Sequence, residues 1–311
     1  MTVCNLHNGV RELVMTREQK VLLPRCHVLA HSQPGGLSPG VLLPPLWFEA
    51  ALNCVNVSSP LPEPGYSKAI FEAVGVMASE IKAASLAAHQ ADQEPVLIGG
   101  DHSLAIGSMA GSIAHFGRIG VVWIDAHADF NTFESSPTGN PHGMPLSAAC
   151  GLGDPRLTSL IDRPVRAQDV VLIAARAVDP EEQVLLTKQG IRQISVAELR
   201  ERGVDVVCQE IAERLAGVPT HLSFDFDAIS QEYFHATGTP VPDGLTPDEA
   251  ADLVRGLRRA TLQFVSSDWV EFDPRHPQAS ESAIIARNVY AAFHAPTAVS
   301  PAPLTHSPSQ L

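Results

Sequence analysis

Residues 120–132 read GVVWIDAHADFNT. The first half, Val121 to Ile124, is apolar throughout, as expected of a strand covered on both faces. The second half alternates Asp125, His127 and Asp129 with alanines. In an extended chain residues two apart share a face, so two acids and an imidazole are expected to project together from the end of a buried strand. Fully apolar strands with polar ends belong to parallel sheets, where ligands gather at the carboxyl ends.

The rest of the chain repeats this pattern. Residues 67–90 are rich in alanine with helical spacing of apolar positions, and predict a helix. Apolar runs at 96–98, 119–124, 170–174, 191–194, 221–224 and 262–265 predict strands, alternating with helical segments. Shorter strands are expected at 28–31 and 54–57. Ser195 reads as the cap of the helix VAELRERG, and Thr246-Pro247-Asp248-Glu249 opens another with a capping threonine, an early proline and acids in the first turn. A last helix is expected over 280–293. Strand-helix alternation predicts a single-domain, three-layer α/β/α fold with a mostly parallel sheet. The catalytic domain is expected over 27–294, with residues 1–26 as a peripheral arm and 295–311, rich in proline and serine, as a disordered tail.

Composition narrows the function. The 311 residues carry a net charge of −13, which argues against nucleic acid or an anionic membrane as partner. No apolar run approaches the length of a membrane span, and the first twenty residues carry no signal pattern. The five cysteines (Cys4, Cys26, Cys54, Cys150, Cys208) are scattered and lack CxxC spacing. A disulfide framework or structural zinc site is not expected, and a reducing cytoplasm is.

Polar clusters follow the apolar runs: Asp101-His102, Asp125/His127/Asp129, Asp225/Asp227 and Asp268/Glu271. Taken singly, each reads as a solvated strand end or a structural histidine. Gathered in one crevice, the carboxylates would repel one another and some would be forced neutral. Divalent cations remove that penalty. Asp125, Asp129, Asp225 and Asp227 carry four negative charges, which two divalent ions balance. Oxygen ligands with two imidazoles and no thiolate suit Mn²⁺ or a similar hard ion, and a metal pair suits hydrolysis.

The segments GGDHS (99–103), DAHADFNT (125–132), GNPHG (139–143), SFDFD (223–227) and ATGTP (236–240), with Glu271, resemble the arginase/agmatinase family of ureohydrolases. The resemblance runs in order over about two thirds of the chain. It implies an arginase-like fold and two Mn²⁺ per subunit. His102, Asp125, Asp129 and Asp225 would hold one ion. Asp125, His127, Asp225 and Asp227 would hold the other, with Asp125 and Asp225 bridging. The implied reaction is attack of a metal-bridging hydroxide on a guanidinium carbon. Asp129 would also bond the hydroxide, Glu271 would hold the guanidinium nitrogens, and His142 would shuttle a proton to the leaving amine. The resemblance further implies a homotrimer or homohexamer.

Substrate choice turns on two loops. Asn131, Thr138 and Asn140 occupy one, and Asp179 and Glu182, in RAVDPEE (176–182), occupy the other, facing a substrate's carboxylate and amino group. Thr239, in ATGTP, is a further substrate-binding candidate. This set favours L-arginine, cleaved to L-ornithine and urea. N-hydroxy-L-arginine, agmatine or a guanidino acid are the alternatives, because Ala177 stands where arginases carry Asp and residues 228–231 (AISQ) depart from the family run. A catalytically silent binding subunit and a zinc deacetylase on the same architecture are weaker readings.

Overall fold

The computed structural model describes residues 19–25, 53–58, 68–274 and 276–294. In chain order these form β1 (Gln19–Arg25), β2 (Asn53–Ser58), α1 (Lys68–Gln90), β3 (Glu94–Ile98), α2 (Ala105–Phe116) and β4 (Gly120–Ile124). Two short helices follow, α3 (Pro145–Ala149) and α4 (Pro155–Thr158), then β5 (Val170–Ile173), α5 (Pro180–Gln189) and β6 (Arg192–Ile194). The remainder is α6 (Val196–Arg202), α7 (Val204–Arg214), β7 (Pro219–Asp225), α8 (Pro247–Arg259), β8 (Gln263–Val270) and α9 (Ala279–His294). The strands make one eight-stranded sheet in the order β2-β1-β3-β8-β7-β4-β5-β6, and every pairing is parallel.

Strand alternation builds the layers. Val121 and Trp123 of β4 enter a core with α1 and α2, whereas Val122 and Ile124 enter a second core with α7, α8 and α9. Both faces are covered, which is why the strand carries no polar residue before Asp125. The first core depends on close approach of α1 to α2. A Cβ on Gly107 would sit 2.6 Å from the Ala78 carbonyl oxygen, so only glycine fits there. Helix starts follow the expected capping chemistry. Ser195 Oγ accepts from Glu198 N at 3.0 Å, and Thr246 and Glu249 form a reciprocal capping box ahead of α8.

Two expectations change. Residues 19–25, assigned to a peripheral arm, form β1, paired on both sides inside the sheet. Its pairing with β3 runs to Leu22, and its pairing with β2 runs on to Arg25. The strand expected at 28–31 and the tail at 295–311 lie outside the described residues. Asp268 does not follow β8 but lies within it, fully buried. Among the described residues no helix is long and apolar enough to cross a membrane.

Candidate metal centre

The carboxyl ends of β3, β4, β7 and β8, four neighbours in the sheet, deliver the polar side chains. β4 stops at Ile124, and Asp125 follows it, fully buried. From there the chain does not stay extended. Asp129 takes a left-handed backbone, φ 50°, a conformation uncommon outside glycine. Asp125, His127 and Asp129 are therefore not brought together by strand alternation. A loop turned back by Asp129 does it, and that loop is fixed by Leu146 N–H and Ser147 N–H donating to the Asp129 carbonyl.

Two groups of side chains result: His102 with Asp125 and Asp129, and Asp125 with His127 and Asp227. Asp125 belongs to both. His102 opens a single helical turn after Gly99 and Gly100, whose φ of 91° and 78° make the turn out of β3. Its Nδ1 lies 2.9 Å from Asp125 Oδ2, 3.1 Å from Asp129 Oδ2 and 3.1 Å from Asp225 Oδ2. Yet this buried nitrogen meets hydrogen-bond geometry with none of them. It points among three oxygens rather than at any one. That is how a ligand nitrogen stands when it shares a cation with carboxylates, whose donor atoms crowd to about 3 Å around an ion held at 2.0–2.2 Å. The residues present fit a divalent cation.

In the second group His127 Nδ1 lies 3.0 Å from Asp227 Oδ2 and 3.6 Å from Asp125 Oδ1. His127 keeps 28% of its side-chain surface, so this half of the centre opens to solvent while His102, at 2%, lies beneath it. Asp225 reaches the first group through Oδ2, and its Oδ1 accepts from Asp227 N at 2.8 Å. Electrostatics agree with a missing positive charge. Burial, reinforced by the Asp125 charge, pushes the Asp129 carboxyl up to about 7. Burial, with Asp227 and Asp125, pushes Asp225 well above the carboxylate range. Burial would lower the two imidazoles, but the surrounding acids outweigh it and hold both high.

The other expected site residues surround this pair. Glu271 follows β8 in a left-handed conformation, φ 63°, and its Oε1 accepts from His102 N at 2.9 Å. Backbone strain at both Asp129 and Glu271 falls where a functional site concentrates it. His142 sits on the turn Pro141–Gly143, which is tied to the Asn131 loop by Asn131 N donating to Gly143 O. Burial holds its imidazole below the usual value. Thr239 Oγ1 donates to Asp227 Oδ2 at 3.0 Å, so it stands behind a cation-facing oxygen. Asn131 Nδ2 donates to Asp179 Oδ2 at 2.9 Å, joining the two substrate loops. Thr138 is exposed and accepts from Asn140 N, and Asn140 is buried.

Glu182 has a different surrounding from the one expected. Its two oxygens accept from Phe130 N at 2.7 Å and Asp179 N at 3.1 Å, and burial raises its carboxyl to about 7. It ties α5 to the β4 loop and caps the helix. Glu182→Ala should therefore destabilise the fold by about 2 kcal/mol, because two backbone donors lose their acceptor. Chemical denaturation measures this, and an unchanged midpoint and slope would contradict it.

Sequence reasoning missed two supports. Trp123 Nε1 donates to Asp125 Oδ2 at 3.0 Å, and its ring stacks on His102 at 4.1 Å between centroids. Its position two residues before Asp125 was the available signal. Arg176 donates to the carbonyls of Ala174, Asp227, Ala228, Val241 and Pro242, clamping the loop that carries Asp227. Nothing in its local sequence announces this, since every acceptor is backbone.

Fold and site together define a parallel α/β protein with two carboxylate–imidazole groups that could hold a metal ion at the carboxyl ends of its strands. The profile of the Arginase family matches residues 55–295. An arginase of Bacillus caldovelox is 38% identical over 198 residues, 62% of this chain. That match spans 65% of the relative's own length, just under two thirds. The structure of the B. caldovelox arginase superposes with a TM-score of 0.78 at 28% identity, covering 91% of this chain and 99% of that one. Entamoeba histolytica arginase, solved in complex with L-ornithine, superposes at 0.77 with 26% identity, covering 90% of this chain and 99% of that one. The chain belongs to the arginase family.

Proposed function

We propose that this protein is a binuclear manganese amidinohydrolase that cleaves L-arginine to L-ornithine and urea. The observation that carries the reading is the unbonded His102 Nδ1 among three aspartate oxygens, joined through Asp125 to a second group with His127 and Asp227. His102, Asp125, Asp129 and Asp225 would hold one Mn²⁺, and Asp125, His127, Asp225 and Asp227 the other. When bound, the ions supply an activated water and Lewis-acid stabilisation of charge at the attacked carbon.

The chain's own residues do the rest. Glu271 has one oxygen held by His102 N–H, so its carboxylate plane is fixed, and it accepts guanidinium N–H groups to orient the carbon. His142 is kept neutral by burial and so can take up the proton released from water at a ring nitrogen. It hands that proton to the departing amine nitrogen. Asn131, Thr138, Asn140 and Asp179 line the approach and recognise the amino-acid head. The L-ornithine in the E. histolytica arginase structure supports this choice, being the product of that cleavage. The same reading places the protein in the cytoplasm as a homotrimer or homohexamer, a state that light scattering reads directly.

One observation favours a second substrate reading. Glu182 is occupied by backbone donors and Asn131 Nδ2 by Asp179, which leaves fewer groups for an α-amino acid head. Agmatine or a guanidino acid, neither of which carries the full α-amino-acid head, would then be the substrate, and N-hydroxy-L-arginine, which keeps that head, is the remaining alternative to L-arginine. Release of urea, or of N-hydroxyurea from N-hydroxy-L-arginine, should be measured with Mn²⁺ over all four. We expect kcat/KM for L-arginine to exceed that for agmatine by at least about 100-fold, because a site built for polar groups rejects a ligand lacking them. Inactivity on L-arginine with turnover of another compound would replace the first substrate by the second.

A further inference from the structure

Asp268 is a carboxylate with zero exposure in the middle of β8. Its partners among the described residues are hydroxyls and one imidazole. Ser108 Oγ donates to Oδ2 at 2.8 Å, His221 Nε2 lies 2.7 Å from the same oxygen, and Ser223 Oγ donates to Oδ1. Ser223 Oγ lies in turn 2.7 Å from His102 Nε2. A serine hydroxyl has one hydrogen and an ionised carboxylate only accepts. The Ser223 hydrogen therefore goes to Asp268, and the Ser223 oxygen accepts from His102 Nε2–H. This fixes the orientation of the ring: Nε2–H is directed at Ser223, and Nδ1 is the nitrogen that faces the three aspartate oxygens.

The other side of Asp268 is equally fixed. His221 Nδ1 lies 2.7 Å from Ser266 Oγ, Ser266 lies 2.8 Å from Ser112 Oγ, and Ser112 lies 3.0 Å from His89 Nε2. The connected side chains belong to β7, β8, α2 and α1, so one buried polar path crosses from the sheet's interior into the helical layer. Packing alone does not require it. Polar groups so deep are costly unless satisfied, and a satisfied network of this kind specifies one arrangement.

We propose that Asp268 is a positioning residue for the cation site: acting through Ser223, it sets which nitrogen of His102 faces the aspartates. The proposal rests on the functional reading above. Asp268 touches neither cation nor substrate. Its effect is on the first ion, held through His102, and not on the second, held through His127.

The test uses the full-length protein labelled with ¹⁵N-histidine, with Ser223→Ala, Ser223→Thr and Asp268→Asn variants. In metal-free protein the His102 Nε2–H should give a slowly exchanging, hydrogen-bonded proton signal, assigned by its absence in His102→Asn. Ser223→Ala should lose it and Ser223→Thr, which keeps a hydroxyl, should restore it. Asp268→Asn lets an amide N–H face Ser223, where it competes with His102 Nε2–H for the Ser223 oxygen and should weaken the signal. Mn²⁺ titration followed by electron paramagnetic resonance should show one of two ions bound about 10–100-fold more weakly in Ser223→Ala and Asp268→Asn. Ser223→Thr should bind as the wild type does. A Ser223→Ala protein that keeps the signal, or binds both ions as tightly as wild type, overturns the proposal. So does an Asp268→Asn protein unchanged in both measurements. Wild-type protein that takes up no Mn²⁺ removes the functional reading alone, and the signal comparison then decides the part played by Asp268.

Discussion

Asp125→Asn is expected to empty both halves of the centre and to lower urea release at least about 1,000-fold. Asp125 is common to the two groups of side chains, and on the proposed ligand sets only Asp225 shares that bridging part. Its oxygens are also fixed from behind, Oδ2 by Trp123 Nε1–H and Oδ1 by His127 N–H. An asparagine must turn its NH₂ toward one of those donors, so it loses a ligand oxygen and gains a donor–donor clash. Lewis-acid stabilisation is worth several kcal/mol and each 1.4 kcal/mol is tenfold in rate, which sets the scale. Metal analysis of the purified variant by mass spectrometry, with circular dichroism as the control for folding, checks it. Two ions bound with full turnover would take Asp125 out of the centre.

His142→Ala should leave both ions in place and reduce kcat about 100-fold, the lower range for loss of a positioned proton carrier. The residue is not in either cation-facing group, and it sits on a separate turn. It is nevertheless close enough to feel the charges of Asp101, His127, His102 and Asp227. A small soluble imidazole should recover part of the rate, since the vacated space admits a replacement base. The wild-type imidazole is lowered by burial, so it is already neutral at neutral pH and able to accept. Loss of metal in this variant would make His142 a structural residue instead.

The centre was more legible in the sequence than its supports. DAHAD and DFD place acids directly after apolar runs, and a run that is apolar at every position identifies a fully buried strand. What strand periodicity could not supply was the conformation of Asp129. Alternation put Asp125, His127 and Asp129 on one face, whereas the chain leaves the strand after Ile124, turns through a left-handed residue, and divides His127 and Asp129 between two groups that share Asp125. Glu182 shows the reverse error. Its spacing from Asp179 signals a capping box as strongly as a substrate contact, and the backbone donors of Phe130 and Asp179 took it. Arg176, Ser223 and Asp268 act through partners at least 45 residues away or through carbonyls, which a local pattern does not register.

The strand order has a consequence for how the protein is made. β8 is the last strand among the described residues but joins β3 on one side to β7 on the other. Until residues 263–270 leave the ribosome, the molecule consists of two separate part-sheets, β2-β1-β3 and β7-β4-β5-β6, each ending in an open, unpaired edge. The same segment brings Asp268, and Glu271 follows at once. A nascent chain is therefore at its most vulnerable to sticking to its neighbours, and still without a working centre, until that late insertion closes both gaps.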